Sequence, residues 1–183
     1  MIVCKFGGTS LESSESIMKV KNIVVKKLEE NEKLILVFSA IGKTTDQLLK
    51  IGKIASDRSN SDTGYNLLLE EIIENHTNIV NNLIKDSNKV KVNEILLDFF
   101  RKIREICLGI FYLKDFSNKN SDLLLSFGEK MANLILYNYL IQEINNKEIH
   151  LMNSADYLIT DYTYGNANVI DSETSNNLDS ISK

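Results

Sequence analysis

The 183-residue sequence contains no proline and no tryptophan, and it has only two cysteines and two histidines. Because proline is the residue that most strongly interrupts a helix, its absence permits long unbroken helices. Cys4 and Cys107 are far apart in the sequence and form no Cys-x-x-Cys motif. Neither a disulfide framework nor a zinc site is therefore indicated, and both thiols are predicted to be reduced core residues.

Long apolar runs and an excess of positive charge are also missing. No run approaches the roughly 20 apolar residues that a membrane-spanning helix needs, and the sequence begins with a strand pattern rather than a basic segment and an apolar signal core. The formal net charge is -4, with lysines scattered among acids. These features predict a cytoplasmic protein with neither a membrane nor a nucleic acid as partner.

The first forty residues predict a strand, a helix and a second strand. Ile2–Phe6 has the pattern of a short buried strand, and residues 14 to about 31 carry apolar side chains at helical spacing. Leu34–Phe38 is an unbroken apolar run, typical of a strand covered on both faces of a parallel sheet. A right-handed crossover places both strand ends at one sheet edge, so the loops at Gly7-Gly8 and at residues 39–45 should open into one crevice.

The rest of the chain is predicted to be mostly helical. Helices are expected at about residues 46–55, 65–85, 92–113 and 122–145, a strand is possible at 148–152, and the tail from residue 160 shows little periodicity. The second and third of these helices have the pattern of an antiparallel pair inserted in an α/β domain. Their predicted apolar stripes are Leu68, Ile72, Ile79 and Leu83, and Ile95, Phe99, Ile103, Ile106 and Ile110.

Two common phosphate-binding motifs are not satisfied. Gly42-Lys43-Thr44 resembles the end of a P-loop, but the position that requires the first glycine is Val37, inside the predicted strand. The opening loop fails the G-x-G-x-x-G pattern, because Gly7 and Gly8 are adjacent and position 12 is glutamate. Neither a P-loop NTPase nor a Rossmann dehydrogenase is supported.

What remains is a glycine pair at a strand end, followed by the hydroxyls of Thr9 and Ser10 and then by a helix. Bare backbone N–H groups and a helix N-terminus can approach phosphate oxygens, and Lys5 could place an ammonium beside them. The alternative is a tight turn beside a solvated lysine. These residues alone leave both interpretations open.

Four stretches carry a more specific signal. KFGGTS at 5–10, VFSAIGKTTDQL at 37–48, LLSFGEKMANLIL at 124–136 and TDYTYGNA at 160–167 resemble, in order and approximate spacing, the N-terminal part of the aspartate kinase catalytic domain. Aspartate kinases belong to the amino acid kinase family. The resemblance implies an α/β fold, a three-layer sandwich with a mostly parallel central sheet, truncated here and carrying a helical insertion at about residues 63–115. Residues 1–183 would be the N-terminal part of that catalytic domain, without an ACT regulatory domain.

The resemblance also implies a reaction. Aspartate kinases use ATP and Mg²⁺ to phosphorylate the β-carboxylate of L-aspartate, giving 4-phospho-L-aspartate at the start of lysine, threonine and methionine biosynthesis. A carboxylate with a pKa near 4 is already an anion at neutral pH, so this acceptor needs no general base. The site must instead align the reactants and offset the charge of the moving phosphoryl group.

Site residues follow from the same resemblance, by position in the matching motifs. Lys5 matches the lysine that stabilises the transferring phosphate, and it adjoins the loop that lines the nucleotide phosphates. Glu129 matches the glutamate that receives the amino group of aspartate. The matching loop residues are Gly7, Gly8, Thr9 and Ser10 on the phosphate side and Ser39, Ala40 and Thr45 on the aspartate side. No magnesium ligand is assigned, and the Tyr164–Ala167 loop has no assigned role.

Two of these assignments have simpler alternatives. Thr45 could be the N-cap of the following helix, which is compatible with binding. Glu129 could be a surface acid of an amphipathic helix. Gly128 argues against that alternative, because a glycine inside a helix costs about 0.5–1 kcal/mol relative to alanine and permits close approach of another group.

The resemblance predicts an incomplete enzyme. Aspartate kinases continue with segments for substrate and adenine and usually with ACT domains, so we expect this chain to have little kinase activity alone and the full-length protein to be a homo-oligomer. Missing strands would leave an open sheet edge. Another amino acid or carbamate kinase, or a noncatalytic anion-binding or interaction module of the same fold, are the alternatives.

Overall fold

The structure is a computed structural model that describes residues 1–61, 63–144 and 148–179. The chain divides into two compact units, Met1–Glu148 and Ile149–Lys183. The first unit carries the sheet and the long helices. None of the helices among the described residues is long and apolar enough to cross a membrane.

Strands β1 (Ile2–Phe6) and β2 (Leu34–Phe38) pair in parallel, in a register that runs from Ile2 opposite Leu34 to Phe6 opposite Phe38. Helix α1 (Ser14–Glu29) forms the connection between them. Its N-cap is Ser13, whose hydroxyl accepts the Ser16 N–H at 3.2 Å. The predicted strand, helix, strand unit is confirmed.

One face of this sheet is open to solvent among the described residues. Val3, Ile35 and Val37 are 63%, 45% and 42% exposed, and Lys5 lies on the same face, opposite Val37. On the other face the rings of Phe6 and Phe38 stack at 5.7 Å. The prediction that Leu34–Phe38 is covered on both faces was therefore wrong for this part of the chain, although its parallel pairing was right.

The long helices pack on one another beside the sheet. They are α2 (Thr44–Ser56), α3 (Asn66–Leu83), α4 (Asp86–Leu113) and α5 (Asn118–Glu143). Helices α3 and α4 contact each other and are joined by a short turn, as expected of the predicted pair. That turn is held to α5, because the Gln142 side chain accepts the Lys85 N–H at 3.0 Å.

The apolar stripe predicted for α4 was partly wrong. Ile103 and Ile110 are buried as expected, whereas Ile95, Phe99 and Ile106 are half-buried. The buried residues form a single row at helical spacing that is rotated from the predicted one and shares only Ile103 and Ile110 with it. The residues that the structure buries in α4 are Val92, Leu96, Phe100, Ile103, Cys107 and Ile110.

Two helical glycines provide a matched test of this packing. A Cβ on Gly109 would meet no atom within 4 Å, whereas a Cβ on Gly52 would collide with the Phe116 ring. Gly109→Ala should raise the free energy of unfolding by about 0.5–1 kcal/mol through the loss of unfolded-chain entropy. Gly52→Ala should lower it, because displacing a packed ring costs about 1–3 kcal/mol and exceeds the helix gain. Urea unfolding of both variants measures the two changes in the free energy of unfolding. An equal increase in that free energy for both variants would contradict the contact between Gly52 and Phe116.

His76 is the buried polar residue of α3. Its Nδ1 donates to the Ile72 carbonyl at 2.8 Å, its ring meets Phe100 edge-on, and Nε2 has no hydrogen-bond partner among the described residues. Burial lowers the pKa of His76 to about 4, against a smaller opposing effect of the Ile72 carbonyl. The imidazole is therefore neutral in the folded protein at neutral pH.

This burial predicts acid sensitivity. The unfolded chain protonates His76 near pH 6.5 but the folded chain only near pH 4, so its stability contribution is complete above pH 6.5 and declines as the pH falls from 6.5 to 4. The decline attributable to this residue should reach about 3 kcal/mol. Urea unfolding at pH 7 and pH 4.5 should show this loss of stability in the wild type and in the control His150→Gln, which changes an exposed histidine. His76→Leu should not show the loss. An unchanged pH dependence in His76→Leu would contradict the prediction.

The second unit has a different character. Residues 148–152 are irregular, so the possible strand there was wrong; the described residues offer that segment no ladder partner. Up to residue 179, where the described part of the chain ends, the tail contains an antiparallel bridge between Thr160 and Val169 and helix α6 (Asp171–Asp179). The sequence does not predict α6, because its nine residues carry almost no apolar pattern.

Asp161 organises the loop formed by the TDYTYGNA stretch. Its carboxylate accepts the Thr163 N–H at 2.9 Å, the Asn168 N–H at 3.2 Å and the Asn168 side-chain amide at 2.9 Å. These hydrogen bonds, that of the Asn168 side chain first, lower the pKa of Asp161 to about 2. The motif is thus a closed loop around an ionised aspartate.

Candidate active site

The loops that follow β1 and β2 lie against each other at the carboxyl edge of the sheet. Backbone hydrogen bonds join them, from the Ser39 N–H to the Phe6 carbonyl at 3.0 Å and from the Gly42 N–H to the Gly8 carbonyl at 3.1 Å. The parallel pairing of the strands brings both loops to this edge. The shared crevice edge expected from the crossover rule is therefore present.

The two glycines of the first loop have different surroundings. A Cβ on Gly8 would lie 2.5 Å from the Gly42 carbonyl oxygen and 3.1 Å from that of Ala40, closer than real Cβ atoms come to backbone. A Cβ on Gly7 would meet nothing within 4 Å. Gly8 is thus required for contact between the loops, and only Gly7 faces open space.

The phosphate-side candidates are accessible. Lys5, Gly7, Thr9 and Ser10 are all exposed. The chain enters a short 3-10 turn at Gly8–Leu11, anchored by the fully buried Leu11. The N–H groups of Gly8 and Thr9 donate to no acceptor among the described residues. This edge of the sheet therefore offers an anion the Lys5 ammonium group and two backbone N–H groups that are not already engaged in hydrogen bonds.

Helix α5 brings Glu129 to the second loop. The Glu129 Oε1 accepts the Ala40 N–H at 3.3 Å, across 89 residues of sequence, and the side chain is half-buried. Gly128 permits this approach, because a Cβ there would lie 2.8 Å from the Ala40 Cβ and 3.7 Å from the Thr45 Oγ1. The simpler interpretation of Glu129, a surface acid, does not fit this position.

The second loop leads into helix α2, and Thr45 is not the N-cap of that helix. Lys43 occupies the N-cap position, Thr45 is the second residue of the helix and is half-buried, and Ser39 is half-buried at the strand end. The N-cap alternative for Thr45 was therefore wrong. It is the buried Thr44 that fixes the turn, through a hydrogen bond of 2.6 Å from its hydroxyl to the Ile41 carbonyl.

Sequence reasoning missed Gly42 and Thr44. Gly42 has φ +54°, a left-handed conformation that favours glycine. It also joins the two loops, as described above. A glycine between an apolar strand and a helix is the signal in the sequence that points to Gly42.

With this geometry in place, the chain can be compared with known proteins. The model of the amino acid kinase family matches residues 1–181, so the chain belongs to the amino acid kinase family. It is 44% identical over 57 residues to an aspartokinase of Geobacillus stearothermophilus, covering 31% of this chain and 14% of that protein. It is 31% identical over 120 residues to the chloroplastic aspartokinase 1 of Arabidopsis thaliana, covering 66% and 20%.

A solved structure gives the same result for the fold. E. coli aspartokinase III in complex with aspartate and ADP, in its R-state, matches with a TM-score of 0.81 and 19% identity, covering 96% of this chain and 36% of that chain. The predicted α/β class and amino acid kinase fold are confirmed, and so is the resemblance to aspartate kinases. The chain spans about a third of the length of this neighbour and less of the curated relatives.

Proposed function

We propose that this chain supplies the phosphate-binding loop and part of the acceptor pocket of an aspartate kinase, which transfers the γ-phosphoryl of ATP to the β-carboxylate of L-aspartate. The observation that carries the proposal is the meeting of three separate segments at one sheet edge. The loop after β1 touches the loop after β2 through Gly8 and Gly42, and Glu129 of α5 touches that second loop at Ala40. The positively charged Lys5 beside the first loop and the negatively charged Glu129 at the second loop are thereby brought to the same edge of the sheet.

On the phosphate side, the proposal assigns Lys5 to the transferring phosphoryl group and Gly7–Ser10 to the nucleotide phosphates. The ammonium and the undonated N–H groups of Gly8 and Thr9 have the positive character that phosphate oxygens need. Because charge builds on those oxygens during transfer, a fixed ammonium lowers the barrier more than it strengthens ground-state binding.

On the acceptor side, the proposal assigns Ser39, Ala40, Thr45 and Glu129 to aspartate. The side chain of Glu129 keeps one carboxylate oxygen on the Ala40 N–H and has a second available for an ammonium group. A negative residue at this position favours an amino acid over a simple dicarboxylate, because the α-ammonium supplies the matching charge.

In the proposed reaction, Mg²⁺ would enter the site bound to the phosphates of ATP. No group of three or more histidine, cysteine, aspartate or glutamate side chains that could hold a metal occurs among the described residues. Mg²⁺ at a kinase site keeps several waters and binds chiefly to phosphates with one or two carboxylates, so the observed residues are compatible with it and none is assigned as a ligand. When bound, it would neutralise charge on the phosphates.

The same family assignment suggests how the chain is organised. Residues 1–183 would be the N-terminal part of the catalytic domain, and residues of about 63–115, which include α3 and α4, would be its helical insertion. The full-length protein would be a cytoplasmic homo-oligomer. Segments that bind adenine in this family follow the matched motifs, so full activity would require the complete gene product.

An aspartyl-hydroxamate assay tests the proposal. With ATP, Mg²⁺, L-aspartate and hydroxylamine, which attacks the acyl phosphate and releases inorganic phosphate, the complete gene product should form the hydroxamate, whereas this chain alone should form little or none. Glutamate, N-acetylglutamate and carbamate serve as competing acceptors. Activity only with another acceptor would replace aspartate kinase by a different kinase of the family, and nucleotide binding without any transfer by the folded complete product would indicate a noncatalytic module.

A further inference from the structure

Gly8 and Gly42 form a close backbone contact between the two loops of the candidate site. The Gly42 N–H donates to the Gly8 carbonyl at 3.1 Å, and the Gly42 carbonyl oxygen lies 2.5 Å from the place where a Cβ on Gly8 would be. We call this pair the glycine latch. Both of its residues must lack a side chain or tolerate an unusual conformation for the contact to form.

The conformational requirement falls on Gly42. Its φ of +54° is unfavourable for most residues, but space is not the obstacle, since a Cβ there would meet Glu12 atoms only at 3.6 and 3.7 Å. Asparagine visits the left-handed region more readily than alanine does. The two positions therefore differ: Gly8 is restricted by space and Gly42 by backbone conformation.

The latch lies between groups that the proposed function assigns to different reactants. Lys5 and Gly7 precede Gly8 on the phosphate side, and Ser39, Ala40 and Thr45 flank Gly42 on the acceptor side. Phosphoryl transfer depends on the separation of donor and acceptor, and a misplacement of about 1 Å can reduce the rate by ~10²-fold. A direct backbone contact between the two loops is a means of fixing that separation.

We infer that Gly42 is a positioning residue for phosphoryl transfer: through the glycine latch it fixes the acceptor loop against the phosphate loop. The inference rests on the proposed function and deepens it. Gly42 needs to touch neither reactant for this role, because it acts through the Gly8 carbonyl. The same contact explains why the first loop requires a second glycine although Gly7 alone faces open space.

Kinetics of the complete gene product test the role. Gly42→Ala should lower kcat by about 10- to 100-fold, with the KM values of ATP and aspartate changed by less than about threefold, because alignment is lost but binding groups remain. Gly42→Asn should recover most of kcat, since it accepts the left-handed backbone. Gly109→Ala, on the open side of α4, is the matched control and should retain wild-type turnover.

A merely structural role would give a different result. Gly42→Ala would then lower the melting temperature and the folded fraction, while kcat per folded molecule stayed at the wild-type value. That outcome, or equal turnover of the alanine and asparagine variants at a reduced level, would overturn the inference.

Amide exchange tests the latch independently of catalysis. In this chain the Gly42 amide should be protected, and Gly8→Ala should increase its exchange rate by at least about tenfold, because the added Cβ separates the loops and breaks the hydrogen bond. Equal exchange in both proteins would overturn the latch. If the wild-type gene product transfers phosphate to no acceptor, the proposed function fails, and with it the positioning role, whereas the exchange result still decides whether the loops are joined.

Discussion

Replacement of Lys5 by methionine should lower the turnover of the complete kinase by about 10²- to 10³-fold, the usual cost of losing one group that stabilises transition-state charge. The KM of aspartate should change by less than about threefold, since the lysine is assigned to the phosphoryl group and not to the acceptor. Methionine keeps most of the length of the side chain and removes the ammonium group, with its charge and its hydrogen-bond donors. The measurement is a full kinetic analysis with ATP and aspartate varied separately.

The structure makes this variant a clean one. In this chain Lys5 lies on the exposed face of β1, so Lys5→Met removes no buried contact here and should leave the melting temperature of this chain unchanged. Lys33 provides the matched control, because it is also exposed but precedes β2 at the opposite end of the sheet. Lys33→Met should retain wild-type kinetics. Unchanged turnover in Lys5→Met, in an otherwise active protein, would remove Lys5 from its proposed role.

The sequence predicted the parts of the fold that depend on local pattern. The strands β1 and β2 and the crossover helix α1 follow from short apolar runs and helical spacing, and the meeting of their loops follows from the handedness of the connection. Glu129 was found only through a motif resemblance. The adjacent Gly128 is the one local signal for it, and the contact itself is invisible to local pattern, since it joins Glu129 to Ala40 across 89 positions of sequence.

The errors have a common origin in tertiary contact. The α4 stripe was misplaced because the helix has two adjacent apolar rows, and which of them is buried is decided by its contacts with α2, α3 and α5, which periodicity does not report. The roles of Gly8 and Gly42 depend on a backbone approach between two loops, which no spacing rule encodes. The possible strand at residues 148–152 has a plausible apolar pattern but finds no partner strand in the part of the chain that the structure describes, and a strand is stable only when it pairs with another.

Glu129→Gln is the second variant with a large expected effect. Glutamine is nearly isosteric and its carbonyl oxygen can still accept the Ala40 N–H, so the acceptor loop should keep its position. What is lost is the negative charge proposed to bind the α-ammonium of aspartate. Truncating one member of a desolvated charge pair costs about 2–5 kcal/mol, and the half-exposed position reduces this, so we expect the KM of aspartate to rise by about 30- to 300-fold.

A matched glutamate on the same helix controls for general effects on α5. Glu143 is also half-buried, but it pairs with Lys21 at 3.9 Å and Lys85 at 3.7 Å. Long, partly exposed ion pairs of this kind contribute little, so Glu143→Gln should leave the KM of aspartate within about twofold of wild type. A similar rise in both variants would indicate a structural effect of α5.

Succinate separates recognition of the amino group from every other role of Glu129. It has both carboxylates of aspartate but no ammonium group, so the wild-type kinase should strongly prefer aspartate, and Glu129→Gln should lose most of that preference while its activity with succinate changes little. A variant that loses activity equally with both acceptors would show that Glu129 positions the loop through Ala40. The ratio of kcat/KM for the two acceptors therefore distinguishes the proposed binding of the substrate ammonium by the Glu129 charge from a role limited to the observed hydrogen bond between Oε1 and the Ala40 N–H.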